Sequence, residues 1–264
     1  MKQGMFTITA NRRLTQNVCE MILAGDTSAC QRPGQFLNIK LDGLFLRRPI
    51  SVCDYDDEEI KIIYKIVGKG TQAMADMRQG QTLDVLTGLG NGYDSSKAGA
   101  SPVLIGGGVG IPPLYGLLKA LQRQRAADAL TARAAGGLAN GKAAGTEKIR
   151  VILGFNTAEE IFYQKEFEEA GAEVLLATAD GSAGVKGFVT DVLAGLDYSY
   201  FYTCGPEAMF RAIERVAKTS GQYSFEERMG CGFGTCMGCS CETKYGSKRI
   251  CKDGPVLERE EILW

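Results

Sequence analysis

The chain has 264 residues, 45 % of them hydrophobic, and a formal net charge of −1. That length accommodates two ordinary domains and a small appendage, and the balanced charge gives no electrostatic case for nucleic acid or an anionic membrane. No histidine occurs, which excludes a Rieske centre, a His-ligated haem and a Ser–His–Asp triad and leaves redox chemistry by cofactors that the protein binds and orients.

The N-terminus, MKQGMFTITANRRL, lacks an apolar signal core, and no run of eighteen apolar residues occurs. Both point to a cytoplasmic protein without a membrane span. Cysteines in a reducing compartment serve as metal ligands or free thiols more often than as disulfides. Cys19, Cys30 and Cys53 have no partner-like spacing and read as small buried hydrophobes.

Residues 1–98 alternate like strands. Leu37, Ile39 and Leu41 share one face of PGQFLNIKL; Ile60, Ile62, Tyr64 and Ile66 share one face of EIKIIYKIV, with Lys61 and Lys65 opposite. Short strands with Gly and Asp turns predict an antiparallel barrel or sandwich, with a short helix at TQAMADM (71–77) and a strand at QTLDVL. Within it, LRRPIS (46–51) sets two arginines beside a proline, with a hydroxyl two residues on. The grouping suits a pyrophosphate and a flat ring laid against backbone, although paired arginines also occur on plain surfaces.

From residue 99 to 224 the character is α/β. SPVLIGGGVGIPPLYGLLKAL is an apolar run, then glycines, then a helix with Leu114, Leu117, Leu118 and Leu121 on one face and Pro112 and Pro113 in its first turn. Strand, glycine loop and helix offer amides to a dinucleotide pyrophosphate. The loop is not a strict G-x-G-x-x-G, and a tight turn without ligand has the same appearance. IRVILGF then EEIFYQKEFEEA, EVLLATAD then FVTDVLAG, and YSYFYTCGP then EAMFRAIERVAK continue the alternation, which predicts a doubly wound parallel sheet. Its crevice falls at the carboxyl ends of the strands, where Gly106–Gly110, Gly154–Asn156 and Cys204–Pro206 converge. Glu159 and Glu160 follow the second of these strands with no arginine nearby. That favours NAD(H) over NADP(H), though acids also suit a helix start. Residues 126–147, rich in Ala and Gly, read as a frayed helix end and a mobile excursion.

Residues 225–264 hold five of the nine cysteines, all within Met229–Cys251. Cys231, Cys236 and Cys239 follow C-x4-C-x2-C, and Cys251 comes after eleven intervening residues. This is the plant-type spacing of a 2Fe–2S cluster, three thiolates from a tight loop and one from later in the chain. A four-cysteine zinc site, which would make the protein a non-catalytic zinc-stabilised binding module, more often brings ligands as two separated pairs. A disulfide knot is the third reading. The segment is too small for a free-standing core, so the cluster itself must stabilise it.

Barrel, nucleotide domain and C-terminal cysteine module, in that order, resemble the ferredoxin–NADP reductase-like family over nearly the whole chain. More narrowly the chain is similar to the electron-transfer subunits of type B dihydroorotate dehydrogenase, on RRPIS, IYK (63–65), GT (70–71), LGNGY (89–93), GGGVGIPPLYGL, GFNTAEEIF, TCGPEAM and CKDGPVL. The resemblance implies FAD held by Arg48, Pro49, Ile50 and Ser51, with Ile63, Tyr64, Lys65, Gly70 and Thr71. It implies NAD pyrophosphate at Gly106, Gly107, Gly108 and Gly110, with Cys204, Gly205 and Pro206 opposite. Cys204 would then sit near the nicotinamide, or be a plain packing thiol; no residue is assigned an acid–base role. Cys231, Cys236, Cys239 and Cys251 would hold the 2Fe–2S cluster, with Cys241 an extra thiol in the loop. A partner catalytic chain holding FMN would oxidise dihydroorotate, in a heterotetramer of two of each chain. Electrons would pass through the cluster and FAD to NAD+. The subfamily usually has Arg at Lys65, so the charge is kept but the planar fork is lost. Related subunits that move electrons between NAD(P)H and ferredoxin, in bifurcating or sulfide dehydrogenase complexes, tend to carry Asp at one cluster position; here all four are Cys.

Overall fold

The structure, a computed structural model, describes residues 1–134 and 148–264. Six strands close an antiparallel barrel: β1 (Lys2–Arg13), β2 (Val18–Ala24), β3 (Phe36–Ile39), β4 (Arg48–Tyr55), β5 (Glu59–Lys65) and β6 (Thr82–Leu89), in the spatial order 1-2-5-4-3-6. Closure leaves the barrel no edge strand. The inward residues are the predicted ones, Leu37, Ile39, Ile60, Ile62 and Tyr64, packed with Phe6, Met21 and Leu23. Helix α1 (Lys69–Ala75) sends Met74 into the same core. Ile63, which simple alternation puts outside, is also buried, because the neighbouring domain covers that face.

The second half is a seven-stranded sheet. It comprises β7 (Val103–Gly107), β8 (Arg150–Phe155), β9 (Glu173–Thr178), β10 (Val185–Lys186), β11 (Phe201–Cys204) and β12 (Gly221–Ser224), completed by β15 (Val256–Glu258) near the C-terminus. The order is 10-9-8-7-11-12-15, parallel except for β15. β7, β8, β9, β11 and β12 therefore stand as 3-2-1-4-5, a doubly wound sheet whose order reverses between β7 and β11. Leu104, Val151, Leu153 and Tyr202 meet α2 (Pro112–Ala134) on one face, through Leu114, Leu117, Leu118 and Leu121. Each of these leucines is at most 2 % exposed, which is worth roughly 1.5–3 kcal/mol apiece. Val103, Ile105, Ile152 and Phe201 meet α4 (Val189–Leu193) and α5 (Glu207–Val216) on the other.

Two local readings are corrected. EEIFYQKEFEEA is not one helix. A single turn at Ala158–Glu160 is followed by the short α3 (Gln164–Glu169), with Tyr163 between them at φ 65°. Phe162 and Tyr163 are both buried, and bending the chain there lets Tyr163 donate to Glu20 of the barrel at 2.5 Å. The predicted frayed end is also regular helix as far as Ala134, as its alanine-rich composition favours; the rest of that excursion lies outside the described residues.

The C-terminal segment has little regular structure. A hairpin of β13 (Ser240–Thr243) and β14 (Gly246–Arg249) follows the cysteine loop, and the chain then rejoins the large sheet through β15. Cys239, Ile250 and Cys251 pack in one core with Phe36, Leu86 and Leu89 of the barrel. The segment thus borrows its core from both larger units.

Candidate functional site

The arginines of LRRPIS separate into two roles. Arg47 donates through Nη2 to both carboxylate oxygens of Asp84 at 3.0 Å, and through Nη1 to the carbonyls of Asp84 (3.0 Å) and Asn38 (3.3 Å). It holds β3 and β6 together. Arg48 has no carboxylate partner among the described residues; its Nη1 donates to the Leu46 carbonyl at 2.6 Å. Its guanidinium lies against Gly70, where an added Cβ would overlap Nε. Thus β4 and the start of α1 come together. Ser51 is half-buried and forms no side-chain hydrogen bond among the described residues. With the adjoining backbone, a guanidinium that no carboxylate neutralises and a hydroxyl with no side-chain hydrogen bond, both among the described residues, fit the phosphates and ring of a flavin nucleotide.

Other expected flavin contacts are committed elsewhere. Thr71 Oγ1 accepts from the Val67 amide at 2.9 Å. Tyr64 points into the barrel core and donates to Asn11 at 3.2 Å, while Ile63 is buried at the domain junction. Only backbone atoms of these residues remain for a cofactor. Lys65, exposed, ends β5 in the wall of the neighbouring cleft.

That cleft, about 530 Å³, opens at the carboxyl ends of β7, β8 and β11. Gly107, Gly108, Gly110, Gly205 and Pro206 line it. At Gly110 an added Cβ would overlap the main chain of Cys204 and Gly205, so a glycine is required for the two loops to meet. Gly106 and Cys204 stand behind the wall. Gly106 packs on Ile111 and Leu114. The Cys204 thiol is buried, which pushes its pKa up to about 12 despite a hydrogen bond with Ser224. A thiol so protected stays neutral and does not act as a nucleophile. Of the two acids, Glu160 lines the cleft and accepts from the Asn156 amide at 3.2 Å and from its Nδ2 at 2.9 Å; Glu159 does not line it. Phe188, Met209 and Glu226 also line it, and none was given a role from the sequence. Glu226 alone carried a signal, since it follows the last parallel strand at the crevice end of the sheet.

In the cysteine loop the thiols stand two and two. The Cys231 amide points to Cys236 Sγ at 3.5 Å and the Cys236 amide to Cys231 Sγ at 3.5 Å, while the Cys251 amide points to Cys239 Sγ at 3.3 Å. Burial raises the Cys231 thiol, but the amides of Cys236, Phe233 and Thr235 outweigh it and lower the pKa to about 6. Amides converging on sulfur favour the thiolate a metal needs. Among the described residues no group of three or more His, Cys, Asp or Glu side chains converges closely enough to hold a metal ion, and the thiols stand as two separate pairs. Two pairs suit a cluster of two irons, each taking two thiolates. Cys251 is returned to Cys239 by the β13–β14 hairpin, with Ile250 N donating to Cys239 O at 3.0 Å. Cys241, on β13 opposite Lys248, has no cysteine partner of this kind among the described residues.

Comparison with known proteins gives matches over nearly all of this architecture. Residues 226–263, which include all four paired cysteines, match the iron-sulfur cluster binding domain of dihydroorotate dehydrogenase B, and residues 104–215 match the oxidoreductase NAD-binding domain. The dihydroorotate dehydrogenase B (NAD(+)) electron transfer subunit of Geobacillus sp. (strain WCH70) is 38 % identical over 279 residues, covering 100 % of this chain and 99 % of that one. This chain belongs to that family of electron transfer subunits. The corresponding subunit of Bacillus mycoides (strain KBAB4) is 38 % identical over 280 residues, 99 % of this chain and 98 % of the relative. Among solved structures, an NADH-dependent reduced ferredoxin–NADP oxidoreductase, studied for flavin-based electron bifurcation, superposes with a TM-score of 0.81 at 28 % identity, over 99 % of this chain and 90 % of that one.

Membership makes the chain an oxidoreductase subunit with NAD-binding and iron–sulfur regions, and an electron transfer subunit implies a catalytic partner chain. No described helix is long and apolar enough to cross a membrane. Sequence reading did not anticipate the two asparagines that fasten the cysteine segment to the barrel. Asn38 Nδ2 donates to the Cys231 carbonyl at 3.1 Å. Asn91 Nδ2 donates to the carbonyls of Asp253 (3.2 Å) and Val256 (2.7 Å), and its Oδ1 accepts from Val256 N at 3.1 Å.

Proposed function

We propose that this chain carries electrons from an FMN-containing dihydroorotate dehydrogenase catalytic chain, through a 2Fe–2S cluster and FAD, to NAD+, in a cytoplasmic heterotetramer of two of each chain. The observation that carries the reading is the paired-thiol loop fastened onto β3, which pairs with the Arg48 strand β4, with Lys65 at the end of β5 in the wall of the nucleotide cleft. Cys231 with Cys236 and Cys239 with Cys251 would ligate the cluster. Arg48 would hold the FAD phosphates, Ser51 and the backbone of Pro49, Ile50, Ile63, Tyr64, Gly70 and Thr71 the rest, and Lys65 would add charge where flavin and nicotinamide sites adjoin. Gly107, Gly108 and Gly110 would receive the NAD pyrophosphate, opposite Gly205 and Pro206. Flavin, when bound, converts single electrons to a hydride. The protein's part is to bind, orient and exclude water. In domain terms, residues 1–98 serve FAD, 99–224 serve NAD and 225–264 the cluster.

The likeness to a bifurcating reductase is lower in identity than that to the dihydroorotate dehydrogenase subunits, and four cysteines stand at the cluster, so the first reading is preferred. The test is anaerobic addition of NADH to the purified chain. Flavin absorbance should bleach and a rhombic 2Fe–2S paramagnetic signal appear, whereas dihydroorotate should act only once the catalytic chain is added. A chain that NADH leaves oxidised would sink the proposal.

A further inference from the structure

Asn38 stands between the cysteine loop and β4, the strand that carries Arg48 and Pro49. It lies on β3, is 1 % exposed, and leaves the sheet on the face it shares with Pro49, directly across on β4. Its Nδ2 donates to the Cys231 carbonyl at 3.1 Å. A carbonyl can only accept, so the amide nitrogen must face the loop and Oδ1 must turn away from it. That Oδ1 is, among the described residues, the one buried side-chain nitrogen or oxygen without a hydrogen-bond partner. The approach is so close that a Cβ on Gly232, itself at φ 80°, would overlap Nδ2. The strand beneath is also pinned, since Arg47 donates to the Asn38 carbonyl at 3.3 Å while held by Asp84.

Buried polar groups are nearly always satisfied, and an unpartnered one calls for an explanation. A residue needed only for packing would be apolar here, as Phe36, two residues away on the same face of β3, is. We propose that Asn38 is a positioning residue for electron transfer: it fixes the Cys231 peptide, and so one end of the cluster loop, on the flavin-binding strand pair, and sets an amide dipole beside the cluster. This rests on the reading that the chain holds both groups. Separation governs the rate of electron tunnelling, and dipoles and hydrogen bonds around the sulfurs govern the cluster's potential.

The test uses the full chain loaded with FAD and cluster. Wild type must show bound flavin and a rhombic 2Fe–2S signal after dithionite reduction; without either, the functional reading falls and this proposal with it. Asn38→Leu keeps the approximate size and removes the amide. Asn38→Asp keeps the shape and sets a carboxylate against the Cys231 carbonyl. Both should keep wild-type flavin content and change the g-values of the reduced cluster. Asn38→Asp should also shift the electron at least tenfold from cluster toward flavin in a potentiometric titration, about 59 mV for a one-electron couple. Loss of the cluster alone, with flavin and circular dichroism unchanged, supports the anchor as well. Wild-type spectra and potential in both variants overturn the proposal, as does joint loss of flavin and fold, which would make Asn38 an ordinary core residue.

Discussion

The nucleotide cleft and the cluster loop are built in opposite ways. The cleft is made of main chain. Its glycines sit at the ends of strands in a sheet buried on both faces, and its shape is set where loops touch backbone to backbone, as Gly110 does with Cys204. The loop is made of side chains. Four sulfurs stand on a segment with almost no regular structure, hung from the barrel by Asn38 and Asn91. A cleft of the first kind is damaged by adding a methyl group, whereas a site of the second kind is damaged by removing one atom.

The largest effect should come from the sulfurs. Cys251→Ser is expected to lose or distort the 2Fe–2S signal and its iron, while Cys241→Ser keeps both; paramagnetic resonance with iron analysis checks this, and the reverse result would refute the pairing. Next is Arg48→Ala. Losing a charge-assisted phosphate contact should weaken FAD by roughly 1.5–3 kcal/mol, read as flavin content after gel filtration; full occupancy would remove Arg48 from the site. Gly110→Ala tests the cleft in its own terms. Overpacking against backbone should cost about 1–3 kcal/mol, lowering kcat/KM for NADH roughly 5- to 150-fold with flavin and cluster retained, and a variant with wild-type kinetics would show that the loops can part.

The smallest effect concerns neither site but the junction of barrel and sheet. Glu20 is 2 % exposed and accepts from Arg12 at 2.7 Å and Tyr163 at 2.5 Å. Burial alone would raise its pKa, but hydrogen bonds from Arg12 and Tyr163 lower it overall. A carboxylate lowered in the folded state contributes stability above its unfolded pKa, about 4.3, and loses it as pH falls through the folded value. Tyr163→Phe should therefore cost about 1.5 kcal/mol near neutrality and progressively less in the acid range. Urea unfolding at both ends of that range measures it. A penalty that does not change with pH would mean that packing, not the Glu20 contact, is what was lost.

Period-2 alternation placed the barrel core correctly at Leu37, Ile39, Ile60, Ile62 and Tyr64, and leucine spacing placed α2, because both patterns are local. The cysteine pattern is likewise local, and the structure pairs Cys231 with Cys236 and Cys239 with Cys251. Alternation failed at Ile63, and helix reading failed at Tyr163, for one reason. Both residues are buried by the domain packed against them, and no neighbour in sequence announces that surface.

By itself, then, the sequence determined the inward faces of two barrel strands and the core face of α2, that the sheet is doubly wound, and which four thiols share a spacing. The tertiary structure alone decided that, among the described residues, Arg47 rather than Arg48 is paired with a carboxylate, since Asp84, which neutralises Arg47, lies two strands away in the chain order. It also decided that Gly106 and Cys204 stand behind the cleft wall, and that Asn38 and Asn91 carry the cluster segment. The division has a physical basis. Backbone periodicity and ligand spacing act over a few residues, whereas an ion pair, a close approach or a clamp depends on which distant segments the closed barrel and the wound sheet bring into contact.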